Sequence, residues 1–178
     1  DRNQHGFVKG RSTTTNLLRT HQHWGLTLAT GGDVHCIYFD FSKAFDRMNH
    51  RLLLVKLQKY GLPSDIVRLC AAYLRDRSFV CRVNGSLSAS RPCTSGIPQG
   101  SCIGPLLWTV FVSDIKASLP DSIEYQIFAD DIKIYRVIRT AADCTALQSA
   151  IDCVVRWSTE NLMLLSESKC LVFKTKPH

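Results

Sequence analysis

Apolar and polar residues alternate with a period of two over residues 125–128 and again over 132–135, which predicts a half-buried β-hairpin. The apolar run Cys36-Ile37-Tyr38-Phe39 predicts a buried strand over 34–40 that ends on Asp40. Leu52, Leu53, Val55 and Leu57 give 50–60 one broad apolar helical face, and Gly61-Leu62-Pro63 stops it. A second amphipathic helix is expected over 64–75. Residues 79–83 and 87–92 form a hairpin around Asn84-Gly85, a strong turn pair. Before these lies a loop at Gln4–Phe7 and a polar helix from near Ser12, with Thr13–Thr15 as caps. Helices over 105–119 and 141–162 and a last strand over 170–174 complete the chain. The mixed order of elements predicts an α+β fold with a largely antiparallel sheet.

Composition narrows the partners. The 178 residues are 45% hydrophobic, enough for the core of one domain. Twenty-two Lys and Arg against 15 Asp and Glu leave a formal charge of +7, which favours polyanions such as nucleic acid. The apolar stretch 106–112 is too short to cross a bilayer, no charged-then-apolar leader opens the sequence, and no membrane partner is expected. The eight cysteines contain no Cys-x-x-Cys pair and mostly occupy apolar positions. They read as reduced, buried thiols of an intracellular protein.

The candidate chemistry lies at the strand ends. Asp130 and Asp131 share a hairpin tip, where like charges repel unless a cation joins them, and Asp40 ends another strand. Three carboxylates delivered by strands suggest hard divalent cations and phosphoryl transfer. Taken singly, Asp130 and Asp131 also suit a plain turn, and Asp40 a strand-end cap for the turn near Ser42.

Three stretches in order carry a resemblance: Tyr38-Phe39-Asp40-Phe41-Ser42-Lys43-Ala44-Phe45-Asp46, Ser95-Gly96-Ile97-Pro98-Gln99-Gly100-Ser101 and Phe128-Ala129-Asp130-Asp131. They are similar to successive motifs of reverse transcriptases, in wording those of non-LTR (LINE-type, jockey- and CR1-like) retrotransposons. Gln4-His5-Gly6-Phe7 with Gly10-Arg11-Ser12 resembles a fingers motif of that branch, and Trp157 through Asn161 to Lys169 its fourth palm motif.

The resemblance implies a polymerase palm with part of the fingers, a single domain over 1–178 that lacks the thumb and is truncated at both ends. It implies RNA-directed DNA synthesis, in which a primer 3′-hydroxyl attacks the α-phosphate of a deoxynucleoside triphosphate under two metal ions. The ions would be magnesium (Mg2+), with manganese (Mn2+) as a substitute. Asp40 and Asp130 match the metal-bridging aspartates, Asp131 the third carboxylate, and the Phe41 carbonyl completes one coordination sphere. Phe45, five residues beyond Asp40, matches the ring beneath the incoming sugar that excludes a 2′-hydroxyl.

Gln99 and Gly100 match the loop against the nucleotide and templating base, and Lys169 the lysine at the leaving pyrophosphate. That motif usually carries Asn where Ser166 stands. Lys9 and Arg11 would touch template or triphosphate, and Phe128 replaces the Tyr that many relatives place against the primer. The implied partners are an RNA template, a DNA primer and dNTPs, within a larger polyprotein with endonuclease and thumb, acting in the nucleus. Two other readings are a catalytically inactive nucleic-acid-binding remnant and a related polymerase such as an intron maturase or viral replicase. Viral replicases usually carry Gly where Ala129 stands.

Overall fold

The computed structural model describes residues 2–166 and 170–175. In chain order the elements are α1 (Thr13–Ala29), β1 (Asp33–Phe39), α2 (Ala44–Arg47), α3 (His50–Lys59), α4 (Ser64–Leu74), and the short strands β2 (Ser78–Phe79), β3 (Arg82–Val83), β4 (Ser86–Leu87) and β5 (Arg91–Pro92). After them come α5 (Gly104–Val112), α6 (Ile115–Ser118), β6 (Glu124–Phe128), β7 (Asp131–Ile138), α7 (Ala141–Glu160) and β8 (Leu171–Lys174). They form two compact units, one of Asp1–Ser42 with Val112–His178, the other of Lys43–Phe111.

The first unit is built on a four-stranded antiparallel sheet in the order β6-β7-β1-β8. Side chains alternate across it, so Cys36, Lys133 and Tyr135 share one face while Ile37, Ile132 and Ile134 share the other. Helix α1 covers the first face, where Trp24 meets Tyr135 edge-on at 5.9 Å and stacks on Phe173 at 5.6 Å. Helix α7 covers the second, bringing Trp157 to 5.7 Å from the Phe41 ring. Ser12 starts α1 through a capping box with Thr15, its hydroxyl accepting from the Thr15 amide at 3.2 Å.

The hairpin is therefore not half-buried, as its alternation predicts. Gln126 and Lys133 lie on the polar positions and are 1% and 6% exposed. A polar stripe marks a solvated face only if nothing packs on it, and α1 does. The expected helix 105–119 is broken at Ser113-Asp114, where the Asp114 carboxylate accepts a 2.8 Å bond from the Trp157 indole. Trp157 is core as expected, but Leu162 is not: it follows α7 with a φ of 56° and is largely exposed. The cysteines are free, yet only Cys36 and Cys70 are buried, and Cys81, Cys102 and Cys144 are exposed.

The second unit pairs α3 with α4 beside an exposed ribbon, β2 with β5 and β3 with β4. Asn49 caps α3, accepting from the Leu52 amide at 3.0 Å. Asn84 and Gly85 both have positive φ, as the tight turn of this ribbon requires. Among the described residues no helix is long and apolar enough to cross a membrane.

One carboxylate ties hairpin to helix. Asp143 accepts from Arg136 at 2.9 Å and from the Arg139 and Thr140 amides at 3.0 and 2.9 Å. The Arg136 guanidinium, then these amides, hold its carboxyl well below the usual carboxylate range. A depressed carboxyl contributes stability above its unfolded value, about 3.9, and the contribution fades as pH falls toward the folded value. Asp143→Asn is expected to lower the melting temperature at pH 7, with the gap to the parent narrowing below about pH 4. A gap that is the same at pH 7 and pH 3 in a calorimetric series would refute this.

Candidate active site

In the first unit, β1 and β7 pair with Phe39 opposite Ile132. One step further along the same register, Asp40 faces Asp131. Side chains directly opposite on antiparallel strands project to the same face, so the two carboxylates are neighbours by construction. They line one cleft of about 300 Å3 together with Tyr38, Phe39 and Leu171. The Asp40 carbonyl accepts from Ser166 at 2.8 Å, and the Ser42 amide donates to Leu164 at 2.8 Å. These bonds flank the bridge between Phe41 and Leu165, and neither uses the Phe41 carbonyl.

Asp130 is placed differently. Phe128 pairs with Asp131, leaving Ala129 and Asp130 as a two-residue turn with positive φ at Ala129 alone, the pattern of type II′. Asp130 is half-buried and does not line the cleft of Asp40 and Asp131. Among the described residues no three His, Cys, Asp or Glu converge as a metal-binding group. The structure thus brings two of the three expected carboxylates together and sets the third beside them on the turn. Two carboxylates with open space suit magnesium, which keeps several waters and takes the rest of its shell from phosphate oxygens.

The turn is held from behind. Ala129 has a φ of 55°, a conformation costing a non-glycine residue roughly 1–2 kcal/mol. The segment before α1 runs alongside β6: the His5 amide donates to Ile127 at 2.8 Å and the Ile127 amide to Asn3 at 2.9 Å. Gln4 and His5 are buried, and Gln4 accepts from the Gly6 amide at 2.8 Å. Gly6 then passes so close to the turn that a Cβ there would collide with the Ala129 backbone nitrogen. Only glycine fits.

Behind the carboxylates lies a buried cation that the sequence pattern concealed. Lys133, two residues beyond Asp131 on the same face, donates from Nζ to Asn16 Oδ1 at 2.7 Å. Burial pulls its pKa down, and burial pushes Tyr38 opposite it up to about 12. Nothing local in the sequence marks Lys133 as buried, because its cover comes from α1.

The second unit holds the other expected residues. The Phe45 ring rests at 5.1 Å from that of fully buried Trp108. The Ile97 amide donates to the Phe45 carbonyl at 2.9 Å and the Gly96 amide to Met48 at 2.8 Å, zipping the glycine loop onto 45–48. Gly96 (φ 84°) packs its Cα against Asp46, where a Cβ would sit 2.6 Å from the Asp46 carbonyl oxygen. Gln99 Nε2 donates to Asp46 Oδ1 at 3.1 Å, so Asp46 positions the Gln99 amide. Gly100, with a φ of 80°, is exposed with open space around it.

Of the remaining expected residues, Lys9 is exposed. Arg11 donates to the Arg2 carbonyl at 2.9 Å and also to that of Gln4, so its guanidinium braces the segment behind the turn. Phe128 is half-buried opposite Asp131, and Lys169 lies outside the described residues. A larger hollow of about 820 Å3 lies at the other ends of β1 and β7, away from the carboxylates.

Over residues 1–178 the sequence matches the family "Reverse transcriptase (RNA-dependent DNA polymerase)". This chain belongs to the reverse transcriptase family. A Drosophila melanogaster protein named "Probable RNA-directed DNA polymerase from transposon BS" is 29% identical over 97% of the chain, which covers 20% of that protein. The RNA-directed DNA polymerase from mobile element jockey of Drosophila melanogaster is 29% identical over 75% of the chain and is covered to 15%. The chain therefore spans about a fifth or less of these relatives. Among solved structures, apo telomerase from Candida tropicalis, truncated from its C-terminal domain, superposes with a TM-score of 0.74 at 13% identity. That match covers 99% of this reverse transcriptase chain and 37% of the telomerase, and at such identity it shows the fold, an α+β polymerase palm.

Gly6→Ala is expected to displace the Ala129-Asp130 turn and lower the melting temperature by about 3–10 °C, the scale of 1–3 kcal/mol of overpacking. Gly25→Ala, in open space on α1, should leave the melting temperature within about 2 °C of the parent. Equal melting temperatures for the two variants would refute the close packing of the segment on the turn.

Proposed function

We propose that this chain carries RNA-templated DNA synthesis, adding deoxynucleotides from dNTPs to the 3′-hydroxyl of a primer. The observation that carries the reading is the register: Asp40 and Asp131 stand opposite each other and line one cleft, in a chain matched end to end by the reverse transcriptase family. Jockey-like relatives support the retrotransposon branch.

In this reading Asp40 and Asp131 hold the divalent cations, Mg2+ or Mn2+, with Asp130 delivered from the turn. Bound there, such ions stabilise the charge on the attacking and leaving oxygens. The chain's own residues orient the reactants. Gln99, aimed by Asp46, offers a neutral hydrogen bond to nucleotide or templating base. Phe45, backed by Trp108, excludes a 2′-hydroxyl. Gly100 leaves room for close approach of a ligand to the backbone.

A second reading, a palm that binds nucleic acid without catalysis, is favoured by the position of Asp130 outside the shared cleft.

Primer extension on an RNA template with dNTPs and Mg2+ separates the two. Asp40→Asn is expected to lower extension about 100-fold or more, with template–primer binding retained. No extension by the parent would leave the non-catalytic reading, and equal extension by both would remove Asp40 from the chemistry. Phe45→Ala is expected to raise incorporation of ribonucleotides relative to deoxynucleotides about 10-fold or more, and an unchanged ratio would remove Phe45 from sugar selection.

A further inference from the structure

The exposed ribbon of the second unit has no role in the reading above. Residues 75–93 carry four arginines, Arg75, Arg77, Arg82 and Arg91, against one acid, Asp76. Their arrangement is more specific than their charge. Phe79 pairs directly with Arg91, and the Cys93 amide donates to the Arg77 carbonyl at 2.8 Å, extending the same ladder by one pair. Arg77, Phe79 and Arg91 therefore share one face, with Arg91 directly across from Phe79, Arg77 two residues along the same strand, and Phe79 51% exposed.

The face is ordered rather than merely charged. The Arg77 guanidinium lies 5.0 Å over the Tyr73 ring and donates to the Tyr73 carbonyl at 3.3 Å. Between the pairs Phe79–Arg91 and Arg82–Leu87, two residues on one strand oppose three on the other. That is a β-bulge, which sharpens the local twist. Toward α3 the same residues open into a cleft of about 720 Å3, lined by Lys43, His50, Arg77, Phe79 and the loop ending at Gln99. Its one acid, Asp46, accepts from Gln99.

We propose that the Arg77–Phe79–Arg91 face, leading into this cleft, is a track for an unpaired nucleic-acid strand. Guanidinium groups neutralise phosphates, and an exposed ring stacks on a base. The ring decides between strand types. A duplex presents phosphates to such a face but keeps its bases paired, so only an unpaired strand can use Phe79. The inference rests on the polymerase reading, in which this strand is template not yet copied.

The test measures binding of two fluorescein-labelled probes, an unstructured 12-nucleotide RNA and a blunt 12-base-pair RNA–DNA hybrid. Phe79→Ala is expected to weaken the single-stranded RNA about 10-fold or more and the hybrid less than about 2-fold. Phe79→Trp should retain the affinity, which excludes misfolding as the cause. Arg77→Gln with Arg91→Gln should flatten the dependence of log Kd on log salt by roughly 1.4, about 0.7 for each phosphate no longer neutralised. Equal affinity of Phe79→Ala and parent for single-stranded RNA, or equal losses on both probes, would overturn the track. Primer extension by the parent reports separately on the polymerase reading. If extension fails while the probe results hold, the track stands and that reading falls; if extension succeeds and Phe79→Ala is silent, only the track falls.

Discussion

Everything at this site depends on holding two like-charged carboxylates against each other. Asp40 and Asp131 face one another because Phe39 pairs with Ile132, and a one-residue slip would turn one of them to the opposite face. Like charges held on one face repel, and solvent at exposed Asp131 screens part of that cost. The sheet offsets this with apolar burial: Ile37, Phe39, Ile132 and Ile134 are each 5% exposed or less, and full burial of such a side chain contributes about 1.5–3 kcal/mol. The register is thus secured one to three residues behind the charges, where water does not reach. That leaves the strand ends free to carry whatever chemistry requires.

The same logic explains Lys133 and the segment before α1. A buried cation on the carboxylate face, bonded to Asn16, fixes α1 to β7 and adds positive charge beneath the acidic end. The segment Asn3–His5 bonds along β6 and seats Gly6 on Ala129. Helix, strand and segment therefore converge on one turn. Arg11, for which a nucleic-acid contact is the natural expectation, serves that convergence by capping the Arg2 and Gln4 carbonyls.

Much of the fold was legible because each signal was local. Asn84-Gly85, the helix start near Ser12, the stop at Gly61 and the strand ending on Asp40 all depend on neighbours in sequence, although the cap itself is Ser12 and not Thr13–Thr15, which lie inside α1. What was not legible depends on distant partners. Gln126 and Lys133 look solvated until α1, more than a hundred residues away in sequence, covers them. The break at Ser113-Asp114 coincides with an indole from α7, and the Asp46–Gln99 bond spans 53 residues. The three aspartates were visible as a set, but their division into a facing pair and a turn residue is a property of register. Cysteine burial differs from the sequence expectation for a related reason: an apolar local context cannot say which face of an element is covered.

Ala129 shows how the turn is made specific. A glycine there would adopt the positive φ without strain, yet it would also allow the turn many other conformations and cost more entropy to order. Alanine accepts roughly 1–2 kcal/mol of backbone strain in exchange for fewer alternatives. The close approach is made instead at Gly6, which supplies not flexibility but the absence of a side chain, so that backbone can press on backbone. Asp130 is then placed by the shape of the backbone around it. A turn fixed in that way keeps its acid beside Asp40 and Asp131 without satisfying the charge that a cation would bind.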